Sequence, residues 1–200
     1  HEEIPVTVSE VTDSPSVSYD TQVAPILTKL GCNMGACHAS QHGKGGFKLS
    51  VFGFEPANDH QAIVRDRVGR RVELLDPEQS LFLQKPTMQV AHGGGLRLKP
   101  DSVDYAILKS WLAGQAPGPQ KDAPSVTKLT VSPNERIGTK GLMQQLRVEA
   151  TYSDESVRDV TAWAQFDSMD EGVLAVTKSG FVTAVGKGQA SVMVRFADNA

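Results

Sequence analysis

Cys32 and Cys37 are the only two cysteines of this chain, and they share one short run, LGCNMGACHASQHGKGG at 30–46, with His38 and His42. Three chemistries suit two thiols and an adjoining imidazole. A disulfide can close across four intervening residues, as cysteine pairs of exported domains commonly do. A zinc ion can draw on Cys32, Cys37, His38 and His42 as two thiolates and two imidazoles. A porphyrin can receive both thiols on its vinyl groups while the imidazole directly after the second thiol reaches the iron, usually at the spacing C-x-x-C-H. The disulfide leaves His38 without a role. Zinc suffers because the neighbours Cys37 and His38 rarely both reach one small ion, and because all four ligands crowd into a single knuckle. Haem employs Cys32, Cys37 and His38 together. Its spacer, Asn33-Met34-Gly35-Ala36, is two residues longer than the common one and must bulge outward, for which Gly35 offers backbone freedom.

Whatever sits there has to be positioned by the rest of the chain. At 200 residues it exceeds the usual domain size of ~100–150, so one large or two small domains are expected. Twenty Lys and Arg against 23 Asp and Glu give a net charge of −3 without a basic run, so nucleic-acid binding has no electrostatic footprint. No apolar run is long enough to span a bilayer. No signal peptide is legible, yet the chain opens on His1 without a Met and reads as processed or excised from a longer protein, which leaves room for a leader removed beforehand. His1 itself raises the copper-binding histidine brace. That arrangement needs an immunoglobulin-like core around it, and here such a core is expected at the other end, so His1 reads as a tag remnant.

Two segments follow different grammars. From 18 to 118 the pattern is helical at both ends. In SYDTQVAPILTKLGC, Val23, Ile26, Leu27 and Leu30 recur at helical spacing, Ser18 or Asp20 can cap, Pro25 fits the first turn and Gly31 stops the helix before Cys32. In KPDSVDYAILKSWLAGQAPGP, Asp101 or Ser102 caps an apolar face of Val103, Tyr105, Ile107, Leu108, Trp111 and Leu112, which Gly114 ends. Between them GGFKLSVFGFEP is expected to be extended and DHQAIVRDRVG a short helix. Prolines 117, 119 and 124 mark a linker at 119–126. From 127 to 200 the period falls to two, in short Val- and Thr-rich runs punctuated by SDES, SMDEG and KSG, as in a β-sandwich. The expected fold class is therefore multidomain, a small all-α domain followed by an all-β sandwich.

Residues 18–118 resemble the planctomycete-type cytochrome c domain of large exported multidomain proteins. The features carrying that likeness, in order, are SYDTQVAPILTKLGC, the C-x4-C-H of 32–38, GKGGFKLSVFGFEP, SLFLQKPT, HGGGLRL and YAILKSWLAGQAP. Residues 127–200 resemble a bacterial Ig-like domain of the group-2 type through LTVSP, QLRVEATYSDESVRDVT, FDSMDEGVLAV and GFVTAVGKGQASVMV. The first resemblance implies one haem c on Cys32 and Cys37 with His38 as an axial ligand, in the periplasm or otherwise exported. It also implies a distal ligand from the loop before the last helix, where relatives carry a methionine ahead of an Arg-Leu-Ser-Pro-Glu helix start. RLKPD at 97–101 matches that start, and counting back puts His92 within one residue of the methionine, with Met88 four positions further upstream. His92 is favoured, because Gly93, Gly94 and Gly95 let the backbone approach a haem face; Met88 is the alternative.

Electron transfer through a bis-His, six-coordinate haem is the expected function, with a redox partner protein or a fused domain exchanging the electrons. Tyr105 and Trp111 are expected to pack in the helix crossing. Lys44, Lys48, Lys85, Arg97 and Lys99 are candidates to pair with propionates or to dock a partner. His42 reads as a solvated loop residue and His60 as an exposed one. No nucleophile with its base stands out, so a catalyst is not expected. The rival of another class is a haem-free module stapled by Cys32–Cys37, its Ig-like domain serving structure or adhesion with a partner the residues do not name.

Overall fold

The computed structural model describes residues 16–197, 199 and 200; His1 lies outside them. Ser18 opens the first helical segment, its hydroxyl accepting the Thr21 N–H at 3.2 Å. A wide π-type turn at Tyr19–Val23 runs into α1 (Ala24–Lys29), and Gly31, at φ +76°, ends it one residue before Cys32. α2 (Pro56–Val64) and the single-turn α3 (Leu81–Gln84) follow. α4 (Val103–Ala113) is capped by Ser102, which accepts the Tyr105 N–H at 3.2 Å, so Ser102 rather than Asp101 supplies the cap.

The first and last helical segments meet around Trp111, which is wholly buried. Its ring centre lies 5.9 Å from that of Tyr19, 5.8 Å from Phe82 and 6.1 Å from His60, and its indole N–H donates to the Pro117 carbonyl at 2.9 Å. His60 thus differs from expectation. It is half-buried in α2, its Nε2 2.8 Å from the Ala116 carbonyl oxygen and its ring edge-on to Tyr19. The stretch 45–56, expected to be extended, forms no strand. It is irregular, with 3-10 turns at Lys44–Gly46 and Val51–Gly53 and Phe52 at φ +54°. The alternation Phe47, Leu49, Val51 imitates a strand, but Gly45, Gly46 and Gly53 adopt left-handed angles that a ladder does not use.

Eight antiparallel strands form the second part: β1 (Val126–Ser132), β2 (Met143–Gln145), β3 (Arg147–Tyr152), β4 (Val157–Asp159), β5 (Gln165–Ser168), β6 (Leu174–Val176), β7 (Phe181–Ala184) and β8 (Val192–Arg195). They pair as β1-β3-β4, β2-β7-β6 and β5-β8. Period-two burial along β3 sends Val148, Ala150 and Tyr152 inward, onto Val160, Phe166, Val182 and Val194.

Trp163 packs against both cores. Its indole N–H donates to Asp104 Oδ1 on α4 at 3.0 Å, and Gln165 donates to the Thr28 carbonyl at 3.2 Å. Lys29 donates to the carbonyls of Ala164 and Lys178, and burial holds its ammonium below the usual lysine range. The β-sheet part therefore grips the end of α1, the helix that delivers Cys32.

Candidate functional site

α1 hands the chain to Cys32 at the wall of a cavity of about 530 Å3, within the ~300–1,000 Å3 range of cofactor and ligand sites. Cys32, Cys37, His38 and His92 all line it, with Leu27, Leu30, Phe47, Leu49, Phe82 and Leu108 as the apolar wall. Residues separated by more than fifty positions thus converge: His38 lies in the loop after α1 and His92 in the loop between α3 and α4.

The loop between the cysteines is a nest of tight turns. Cys37 N–H donates to the Met34 carbonyl at 2.8 Å, and His38 N–H reaches back to the Cys32 carbonyl at 3.0 Å. That second bond brings the imidazole-bearing residue alongside the first cysteine despite the long spacer. Gly35 is not among the left-handed residues, so the bulge is made by turn hydrogen bonds and not by a special glycine angle. Both cysteines are free thiols; burial first, and the neighbouring Cys37 second, push the Cys32 thiol up to about 12.

Each imidazole is held the same way. His38 Nδ1 stands 3.0 Å from the Phe47 carbonyl oxygen, and His92 Nδ1 stands 2.9 Å from that of Gly95. A carbonyl only accepts, so Nδ1 carries a proton in both rings; in the neutral imidazole Nε2 then keeps its lone pair. Burial, foremost, holds His38 below the ordinary imidazole range, which favours that neutral form. This is the arrangement by which metal-binding histidines are oriented, a backbone carbonyl fixing one nitrogen so that the other is presented. The ring centres are 6.3 Å apart with planes inclined by 18°.

Glycines make both contacts possible. A Cβ on Gly94 would sit 2.7 Å from His92 Cε1, and a Cβ on Gly43 would sit 2.1 Å from the Phe47 carbonyl oxygen that holds His38. The cavity lining also contains Lys44, Arg67, Arg70, Arg71, Lys85 and Arg97 and, among the described residues, no carboxylate. Three of these cations, Arg67, Arg70 and Arg71, were not apparent from sequence; the only signal was the density of arginine in RDRVGRR at 65–71.

Other expected residues lie elsewhere. Met88, at φ +62°, is about half exposed and does not line the cavity. His42, Lys48 and Lys99 are exposed and also stand off it. Phe47 and Leu49 belong to the wall, whereas Val51, Phe52 and Phe54 border a second groove toward the β-sheet part. Among the described residues no three His, Cys, Asp or Glu side chains are grouped as a metal cluster would need. No described helix is long and apolar enough to cross a membrane.

Residues 125–198 match the family described as bacterial Ig-like domain (group 2), so the β-sheet part is an Ig-like domain. No curated protein matches the chain.

Proposed function

We propose that the chain is a c-type cytochrome: one haem c is bound through thioethers from Cys32 and Cys37, its iron is held by His38 and His92, and it passes single electrons. What carries this reading is the pair of imidazoles, both fixed at Nδ1 by backbone carbonyls and both facing one cavity that also contains the two thiols. Two imidazoles bonded to one metal from opposite sides have ring centres roughly 6 Å apart, given metal–nitrogen bonds of about 2 Å; the observed 6.3 Å and near-parallel planes suit that spacing. An apolar wall suits a porphyrin face, and the six cations of the lining suit its two propionates.

When bound, the haem supplies an iron that cycles between ferric and ferrous states. The chain's residues do the rest. Cys32 and Cys37 would anchor the haem by adding a thiol S–H across each vinyl C=C, a step in which no atom is lost. His38 and His92 would hold the iron through their Nε2 atoms, and two imidazole ligands would give a lower potential than a histidine–methionine pair. Phe47, Leu49 and Leu108 exclude water and shape the potential through burial. The Ig-like domain braces α1, and electrons pass to a redox partner or to a fused domain of a larger exported protein.

The test is spectroscopic, on protein matured in the periplasm. A red, low-spin haem protein is expected. His92→Ala turns it high-spin and Met88→Ala leaves it nearly unchanged; the reverse pair of results moves the distal ligand to Met88.

A further inference from the structure

The turn after α2, residues 65–71, is strained in a way its packing does not explain. Arg67, Val68 and Gly69 have φ of +57°, +60° and +69° in succession. A β-branched residue in the left-handed region is a true outlier, and such strain is destabilising. Val68 gains nothing in return, since its side chain is fully exposed. What the turn achieves is placement: Arg67, Arg70 and Arg71 all reach the same cavity. Asp66, the acid of the same turn, does not line it.

The six cavity cations divide into two sets. Arg71 donates to the carbonyls of Ala62 at 2.8 Å and Gly46 at 3.2 Å and lies over the Phe47 ring at 4.5 Å. Lys85 donates to the Ala91 carbonyl at 3.1 Å, and Arg97 to that of Gly94 at 2.8 Å. Those three brace backbone around the site. Lys44, Arg67 and Arg70 have no side-chain hydrogen bond or ion pair to any described residue. Three cations at one mouth with no partner among the described residues repel one another, and anionic groups brought to that mouth relieve the repulsion.

We propose that Lys44, Arg67 and Arg70 form a clamp for two carboxylates, held ready by the strained turn and buttressed by Arg71. Resting on the haem reading, the clamp takes the two propionates and keeps them ionised. Guanidinium forks suit carboxylates in pairs, and an opposite charge within about 4–6 Å holds a carboxyl below its ordinary range.

The experiment uses the haem-loaded full chain and reads the midpoint potential from pH 5 to 8. The parent protein is expected to show a flat profile. Arg67→Gln/Arg70→Gln lowers the potential and introduces a pH-dependent segment, because unclamped propionates take up protons in that range. Lys44→Gln gives a smaller effect of the same sign. Arg65→Gln, on the same turn but off the cavity, leaves the profile flat. A red double variant whose profile matches that of the parent overturns the clamp and leaves the haem reading standing. Natively matured protein that carries no haem overturns both.

Discussion

Gly94→Ala tests the distal side through a single added methyl. Its Cβ would stand 2.7 Å from Cε1, 3.2 Å from Nε2 and 3.3 Å from Nδ1 of His92. Ordinary carbon–carbon contact is about 3.5–4.0 Å, so the ring must retreat by about 1 Å. A retreat of that size stretches the 2.9 Å bond to the Gly95 carbonyl past hydrogen-bond range, at a cost of about 1 kcal/mol. It also exceeds the ~0.2 Å tolerance of a metal–ligand bond several-fold. The expected result, by absorption and electron paramagnetic resonance spectra of the haem-loaded protein, is conversion from low-spin to high-spin, reversed by added imidazole. Gly35→Ala is the control: its Cβ meets nothing within 4 Å, its φ is not left-handed and it does not line the cavity, so it stays low-spin. If both variants remain low-spin with unchanged potentials, His92 is not the ligand held in this way.

On the proximal side, Gly43→Ala drives a methyl to 2.1 Å from the Phe47 carbonyl oxygen and frees His38; haem incorporation falls sharply, while Gly35→Ala, with open space around it, matures normally. Trp163→Phe removes the bond to Asp104 but keeps most of the packing, which lowers stability by about 1.5 kcal/mol and the melting temperature by roughly 3–6 °C; an unchanged melting curve means the Ig-like domain does not brace α4. Val68→Gly relieves the left-handed strain and raises the melting temperature by a few degrees, and a fall instead refutes the strain. Buried Asp59 accepts the Ser50 N–H at 2.6 Å and its hydroxyl at 2.7 Å, yet burial outweighs these bonds and holds its carboxyl above the ordinary range. Its stabilising contribution is therefore complete below the unfolded value of about 3.9 and lost as pH rises through the raised folded value. Melting curves of Asp59→Asn against the parent should show that difference, and parallel curves from pH 3 to 7 contradict it.

The sequence made the helices legible because their signals are local: Ser18 and Ser102 as caps, Gly31 and Gly114 as stops, a 3.6-residue apolar period between. It made the β-sheet part legible through period two, as along β3. The cluster of Cys32, Cys37 and His38 was contiguous and could not be missed, and His92 came from its offset to RLKPD. What escaped was whatever only closure in space creates. Phe47 and Leu49 alternate like strand residues, and three left-handed glycines nearby override that pattern. His60 looked solvated until Tyr19 and Trp111 folded over it. Arg67, Arg70 and Arg71 line the cavity through backbone angles no propensity predicts for Val68. Trp163 finds Asp104 across 59 residues, a separation over which neither periodicity carries information.

The most direct measurement is intact-mass spectrometry of the periplasmically matured chain after acid–acetone extraction, with peptide mapping of 30–46. A mass increase of one haem that survives extraction, with both Cys32 and Cys37 as thioethers, is the expected result. A colourless chain whose only modification is a Cys32–Cys37 bond contradicts it.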